Sequence, residues 1–376
     1  MWETGLKRIK LMGKSASNSV KPRVLFILHL PPPVHGPAQV GLFLRESPLV
    51  NESFETRYIS LSASSTLEQV GHFSAGKIRT IFRLAGEVRR AVREWKPDLV
   101  YMTPSVTMPG LLKDVFVARA VRGMKRVLHL HNKGVAERQG RFFLNILYRM
   151  LFRDTRVILL SRLLYPDIRK YVPEDRVSYC PNGVSVPSVD RVSDAVPRLL
   201  FLSNIIRSKG VSVLIEACRL LKERGIDFRC SLVGALSADY PGDSLSDEIR
   251  EKGLEGRVIY EGPRYGDGKW EAMARADVFV HPTINDSFPL VVLEAMGTGL
   301  PVVTTDEGAI PEMVRDGVDG LICPKGDPKA LADALERLLS DAALRARMGE
   351  SGKTRYRELY TLEQFEKRFV NILKDA

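Results

Sequence analysis

Cysteine and long apolar runs are both scarce in this chain, and each scarcity closes off a class of protein. Only four cysteines occur in 376 residues, Cys180, Cys218, Cys230 and Cys323, scattered with no metal-ligand spacing. They read as small buried residues of a reducing cytoplasm, and no metal site is expected of them. No apolar run reaches the roughly 18–20 residues needed to span a bilayer. The N-terminal stretch MWETGLKRIKLMGKSASNSVKPR lacks a continuous apolar segment and does not read as a secretory signal. Also missing is any nucleic-acid-binding motif, or basic residues interleaved with stacking aromatics, so no nucleic-acid partner is expected. What remains, 44% apolar and 27% charged residues, is ordinary for a globular protein, and the length suits two domains.

Acidic residues are sparse in one half only. Residues 1–190 carry 30 Lys+Arg against 15 Asp+Glu, a net of +15, whereas the remainder carries −4. A strongly basic first half suits an anionic partner: a membrane surface, a nucleic acid or a phosphorylated substrate. Solubility alone is the plainer reading.

Short Val-, Ile- and Leu-rich segments alternate with amphipathic ones. The first half offers RVLFILHL (23–30), FETRYISL (54–61), PDLVYMTP (97–104), RVLHLH (126–131) and TRVILLS (155–161). The second repeats the pattern with RLLFLSNI (198–205), FRCSLVG (228–234), VIYEG (258–262), DVFVHPT (277–283) and PVVTT (301–305). Apolar strands separated by helices predict two tandem doubly wound α/β domains of Rossmann-like type, each with a parallel sheet. The expected division is a basic tail over 1–22, a first domain over 23–187, a linker over 188–197, a second domain over 198–358 and a final helix over 359–376. Ligands of such sheets bind beyond the carboxyl ends of the strands, so the cleft between the domains is the expected site.

Residues with chemistry follow strand ends. His131, with Asn132 and Lys133 beyond it, stands where a phosphate or a hydroxyl would be held, or where a satisfied histidine would sit. His129, two residues earlier, and His281 also read as following strand ends, His129 as a satisfied histidine near the domain surface. After the first strand, PPPVHGPAQVG (31–41) places His35 and Gly36, the latter permitting close backbone approach, before a helix expected to start after Pro37 whose free N–H groups suit an anion. SNIIRSKG (203–210) brings Arg207 and Lys209 to another helix start, as phosphate ligands or as exposed loop charges. In NDSFPLVVLEAMGTGLPVVTT (285–305), Pro289 fits a first helical turn that Asp286 or Ser287 would cap. Glu294, inside an apolar run, needs a partner, because an unpaired charge there is costly. A ribose accepted by Glu294, a diphosphate on the N–H groups of Phe288, Leu290 and Val291, and a sugar near Asp286 would explain both acids at once.

The chain resembles the retaining glycosyltransferases of family 4, with the two-domain GT-B architecture. The resemblance runs from about Arg23 to the C-terminus. It is carried by NGV (182–184), SKG (208–210), VGALS (233–237), YEGPR (260–264), ADVFVHPT, DSFPLVVLEAMGTGLPVV and EGAIPEMVRDGVDGLICPKGD (307–327) in that order. It implies that Glu294 binds the nucleotide ribose, that Asp286 addresses the donor sugar and that Lys209 contacts the diphosphate. Gly234 and Ser287 join the donor side; His131 and Gly36 face the acceptor. The last helix of such enzymes crosses back onto the first domain. Two departures stand out: Asn204 replaces the usual phosphate-binding arginine, leaving Arg207 to assist Lys209, and the first acid is aspartate instead of glutamate.

The implied activity is sugar transfer, with retention, from a nucleoside-diphosphate-sugar to a lipid-linked saccharide or other glycan precursor of cell-surface polysaccharide. A soluble acceptor, or epimerisation of a sugar nucleotide on the same architecture, is the alternative. No Asp-x-Asp triplet occurs, so a metal-clamped diphosphate is not expected, and the nucleotide sugar is a substrate, not a cofactor. A lipid-linked acceptor would place the protein in the cytoplasm, peripheral to the inner face of the membrane. Lys7, Arg8, Lys10, Lys14, Lys21 and Arg23 would each contribute about 1 kcal/mol beside an anionic surface. RFFLNILYRMLFR (141–153) would either lie at that interface or pack as an ordinary helix.

Overall fold

The computed structural model describes residues 21–31, 36–61, 75–192 and 194–376, with side chains from residue 79 in the helix Ala75–Trp95. His35 and the basic tail up to residue 20 lie outside the described residues.

Among the described residues, twelve parallel strands form two six-stranded sheets. The first contains β1 (Arg23–Leu28), β2 (Glu55–Ser60), β3 (Leu99–Met102), β4 (Arg126–Leu130), β5 (Arg156–Leu159) and β6 (Val177–Tyr179), in the order β2-β1-β3-β4-β5-β6. The second contains β7 (Arg198–Leu202), β8 (Arg229–Val233), β9 (Val258–Gly262), β10 (Val278–His281), β11 (Val302–Thr305) and β12 (Gly320–Cys323), in the order β12-β11-β10-β7-β8-β9. Val24 to Leu28 are wholly buried, as a strand covered by helices on both faces must be. All four cysteines are free and buried.

Ten strands fall within the segments read from the sequence. His129 and His281, expected just past strand ends, are in fact within β4 and β10. β6 and β12, VSY and GLIC, lie outside those segments, each at an edge of its sheet. Gly320 belongs in β12 for a steric reason: a Cβ there would lie 2.1 Å from the Val302 carbonyl oxygen.

Each sheet reverses its direction of growth once, between β1 and β3 in the first and between β7 and β10 in the second. Loops beyond such a reversal diverge and leave a crevice. Lys133, beyond β4, meets Glu307, beyond β11, so the carboxyl ends of the two sheets face one another.

The chain ends on the first domain. In the helix Leu362–Lys374, Phe365, Phe369, Val370 and Leu373 join one core cluster with Val24, Phe26 and Leu28 of β1. Phe369 meets Tyr101 edge-on, with ring centroids 5.1 Å apart. Fully burying each such side chain contributes about 1.5–3 kcal/mol, so this helix is a substantial tie between the domains. The segment before β7 lies on the second domain: Val192 N–H donates to the Ala274 carbonyl at 2.9 Å, and Arg191 to the Ala276 carbonyl at 2.7 Å. Among the described residues no helix is long and apolar enough to cross a membrane.

Candidate active site

The second reversal brings Lys209, beyond β7, against Asp286, beyond β10, at 2.5 Å. Their loops are stitched together through the Ser208 carbonyl, which accepts Ile284 N–H at 2.8 Å, Asn285 N–H at 3.1 Å and the Thr283 hydroxyl at 3.2 Å. Gly210 makes this approach possible: at φ +76°, its absent Cβ would lie 1.8 Å from the Pro282 carbonyl oxygen. His281 Nε2 stands 3.3 Å from the same Asp286 oxygen, Oδ2, while Oδ1 accepts the Ser287 N–H at 3.0 Å. Burial pushes the Asp286 carboxyl up, but His281 and the Lys209 charge outweigh it and hold it well below its ordinary range. Burial lowers His281, against the pull of Asp286. The result is an ionised carboxylate beside a fixed cation.

The helix after this loop runs Leu290–Gly297. Pro289 sits before it as the N-cap, not in its first turn, and neither Asp286 nor Ser287 caps it with a side chain. The expected cap is therefore corrected: Asp286 spends its free oxygen on the neighbouring Ser287 amide. Amides at the start of the helix, including Leu290 and Val291, have no carbonyl behind them in the helix. Ser287 and Phe288 are buried. One helical turn further, Glu294 does have a protein partner, Lys269 Nζ at 2.7 Å from Oε1. Burial raises its carboxyl above the ordinary value and Lys269 only partly offsets this. Lys269, in turn, lies over the Trp270 ring at 4.2 Å. The sequence identified the need for a partner but not this one, which comes from the helix Asp267–Ala274.

Across the cleft, His129 is fully buried, with Nδ1 2.8 Å from the Tyr101 hydroxyl and its ring 4.2 Å from that of His131. Lys133, expected to hold a phosphate or a hydroxyl, pairs instead with Glu307 of the second domain. Glu307 was not singled out in the sequence. Its other oxygen takes Lys325 Nζ at 2.8 Å, and Oε1 also accepts the Asp286 N–H at 3.2 Å. Burial would raise its carboxyl, but the two lysines outweigh burial and lower it. The loop beyond Lys133 is folded on Asp167, whose carboxylate accepts the N–H groups of Gly134, Val135 and Ala136 at 3.0, 3.2 and 2.8 Å.

Three residues from the sequence reading lie elsewhere or stand open. Arg207 does not join Lys209 on Asp286: its Nε donates to the Asp239 carbonyl at 3.1 Å and its guanidinium lies 5.2 Å from the Tyr240 ring centroid. Asn204 is exposed, between β7 and Lys209. A Cβ on Gly36, in the helix Gly36–Glu46, would meet nothing within 4 Å, whereas one on Gly41 would lie 2.0 Å from the His29 carbonyl oxygen. The close approach after β1 is therefore at Gly41. Gly234 packs equally tightly, its absent Cβ 1.8 Å from the Ser203 carbonyl oxygen.

Two facing parallel-sheet domains with this switch-point crevice define the GT-B fold. It is shared over 94% of this chain and 99% of sucrose-phosphate synthase from Thermosynechococcus elongatus, with a TM-score of 0.78 at 18% identity. Anabaena HepE in complex with UDP-glucose matches over 94% of this chain and all of its own, with a TM-score of 0.69 at 18% identity. Residues 190–355, which hold Lys209, Asp286, Glu294 and Glu307, match the family model described as glycosyl transferases group 1. A phosphatidyl-myo-inositol mannosyltransferase from Mycobacterium leprae is 37% identical over 46% of this chain and 46% of its own. The chain spans about half the length of the curated relatives it matches.

Proposed function

We propose that the protein is a family 4 glycosyltransferase, moving a sugar with retention from a nucleoside-diphosphate-sugar to a glycan or lipid-linked acceptor, without a metal or cofactor. The observation that carries this reading is the Lys209–Asp286 pair at the amino end of Leu290–Gly297, with Glu294 one turn along the same helix. Three neighbouring functions suit three parts of one donor. Lys209 and the helix amides stabilise charge growing on the departing diphosphate; Glu294 accepts ribose hydroxyls; Asp286 faces the sugar. The bond from the anomeric carbon to phosphate breaks, a bond from that carbon to the acceptor oxygen forms on the same face, and the acceptor proton passes to the leaving phosphate. His131 and Gly36 belong to the acceptor side.

The acceptor we favour is carried on lipid, with the protein peripheral to an anionic membrane through its basic domain. The helix Phe142–Phe152 supports this by doing two things at once. It buries Leu144, Leu147, Tyr148, Leu151 and Phe152, yet leaves Phe142 81% and Phe143 57% exposed. Arg141 and Arg149 accompany those two rings on a helix of the kind that inserts its apolar residues between lipid headgroups. The deciding experiment is a panel of nucleotide sugars screened for protection against thermal unfolding, followed by product analysis with and without acceptor. Transfer to acceptor supports the reading; a changed sugar nucleotide released without acceptor makes the protein an epimerase; no protection by any donor ends the proposal.

A further inference from the structure

Glu307 belongs to none of the donor or acceptor positions above, yet it touches both sides of the cleft. It is 2% exposed, and a single oxygen, Oε1, pairs with Lys133 of the first domain and accepts the backbone N–H of Asp286 at 3.2 Å. The loop behind it is fixed to the same place. Ala309 N–H donates to the Ser287 carbonyl at 2.9 Å, and Gly308, at φ +59°, lets the backbone pass so close that a Cβ would lie 2.3 Å from the Asp286 carbonyl oxygen. Lys325 neutralises the second oxygen at 2.8 Å. Lys133 lies two residues beyond His131. A buried carboxylate with three donors from three segments is costly to assemble unless each is held in place.

We propose that Glu307 is a positioning residue that couples closure of the first domain to the placement of Asp286. This rests on the transfer reaction proposed above. When Lys133 reaches Glu307 the cleft is closed on the acceptor side, and the same oxygen fixes the amide of the residue facing the donor sugar. When the domains part, Oε1 loses its cation and its hold on that amide relaxes. Small displacements of this kind matter, since a misplacement of about 1 Å in a reacting geometry costs on the order of 100-fold in rate.

Four variants test this: Glu307→Gln, which keeps an acceptor for the Asp286 amide but loses the ionic attraction; Glu307→Ala, which loses both; Lys133→Met; and the double variant Glu307→Gln with Lys133→Met. Two readouts are needed. Small-angle scattering of the free protein is expected to show the same expansion in Glu307→Gln, in Lys133→Met and in the double variant. Steady-state transfer is expected to show kcat about tenfold lower in each single variant with donor KM unchanged, no further loss in the double, and a larger loss in Glu307→Ala. Additive losses in the double variant, a rise in donor KM with kcat unchanged, or unchanged scattering and kcat in both single variants overturns the proposal. Failure of the wild type to bind or use any nucleotide sugar sinks the transfer reading instead, and the scattering comparison still decides whether the Lys133–Glu307 contact holds the domains together.

Discussion

Replacing Glu294 by alanine should abolish most of the thermal protection given by the donor. A carboxylate accepting hydroxyl hydrogen bonds contributes about 1.5–3 kcal/mol for each. Two ribose hydroxyls would give about 3–6 kcal/mol, reduced because Glu294 already has Lys269 at 2.7 Å and must share or surrender that contact. Taking the lower end, the donor Kd rises by on the order of 100-fold. At a donor concentration of about 100 Kd, the wild type gains about 2.7 kcal/mol. The variant at the same concentration would sit near its own Kd and gain about 0.4 kcal/mol. At about 2–4 °C per kcal/mol, a melting shift of about 5–10 °C collapses to about 1 °C, readable by scanning fluorimetry. Lys269→Met is the necessary comparison. It leaves Glu294 buried without its cation, so the free protein should melt lower, but the ribose acceptor survives and the donor shift should persist. Two results refute the reasoning: an undiminished shift in Glu294→Ala, or a shift lost as completely in Lys269→Met, which would reduce Glu294 to an ion-pair partner.

Lys209→Ala should lower kcat by about 100- to 1,000-fold, the loss expected when a fixed group stabilising transition-state charge is removed, and rapid-quench turnover measures it. The two acids should shape stability against pH in opposite senses. Asp286 is held below its ordinary 3.8, so its contribution is present above that pH and lost only as pH falls further, whereas Glu294 is raised above 4.5, so its contribution is complete below that pH and lost as pH rises through its raised value. Melting profiles of Asp286→Asn and Glu294→Gln against wild type should therefore diverge in separate pH windows; a common window contradicts the assignment. Transfer should survive exhaustive chelation, and recovery of activity only on adding a divalent cation would contradict metal independence. Flotation with anionic vesicles at physiological salt should recover the protein, and Phe142→Ser with Phe143→Ser should release it; recovery independent of lipid charge argues against the basic domain as the anchor.

Legibility in the sequence followed the range of the physics behind each feature. Short apolar strands alternating with amphipathic helices encode their own burial, so both sheets and their parallel sense could be read from pattern. β6 and β12 lie outside the segments read, and each is an edge strand held by the hydrogen bonds of a single neighbour, β5 or β11. The candidate acids were legible for a similar reason: Glu294 violates the apolar rule of its own helix, and a violation is visible locally. What satisfies it is not. Lys269 lies 25 residues away and Glu307 reaches Lys133 from the other domain, so each is an unremarkable charge until the fold brings it to its partner. Arg207 failed in the opposite direction. Proximity in sequence to Lys209 suggested a shared role, but the short 3-10 turn Arg207–Lys209 directs its guanidinium to Asp239 and Tyr240. A lone charge in an apolar run thus reports that a partner exists, whereas the partner's identity is a property of topology. That is why the crevice between β7 and β10, where the order of strands reverses, gathered the site more faithfully than any spacing of charged residues.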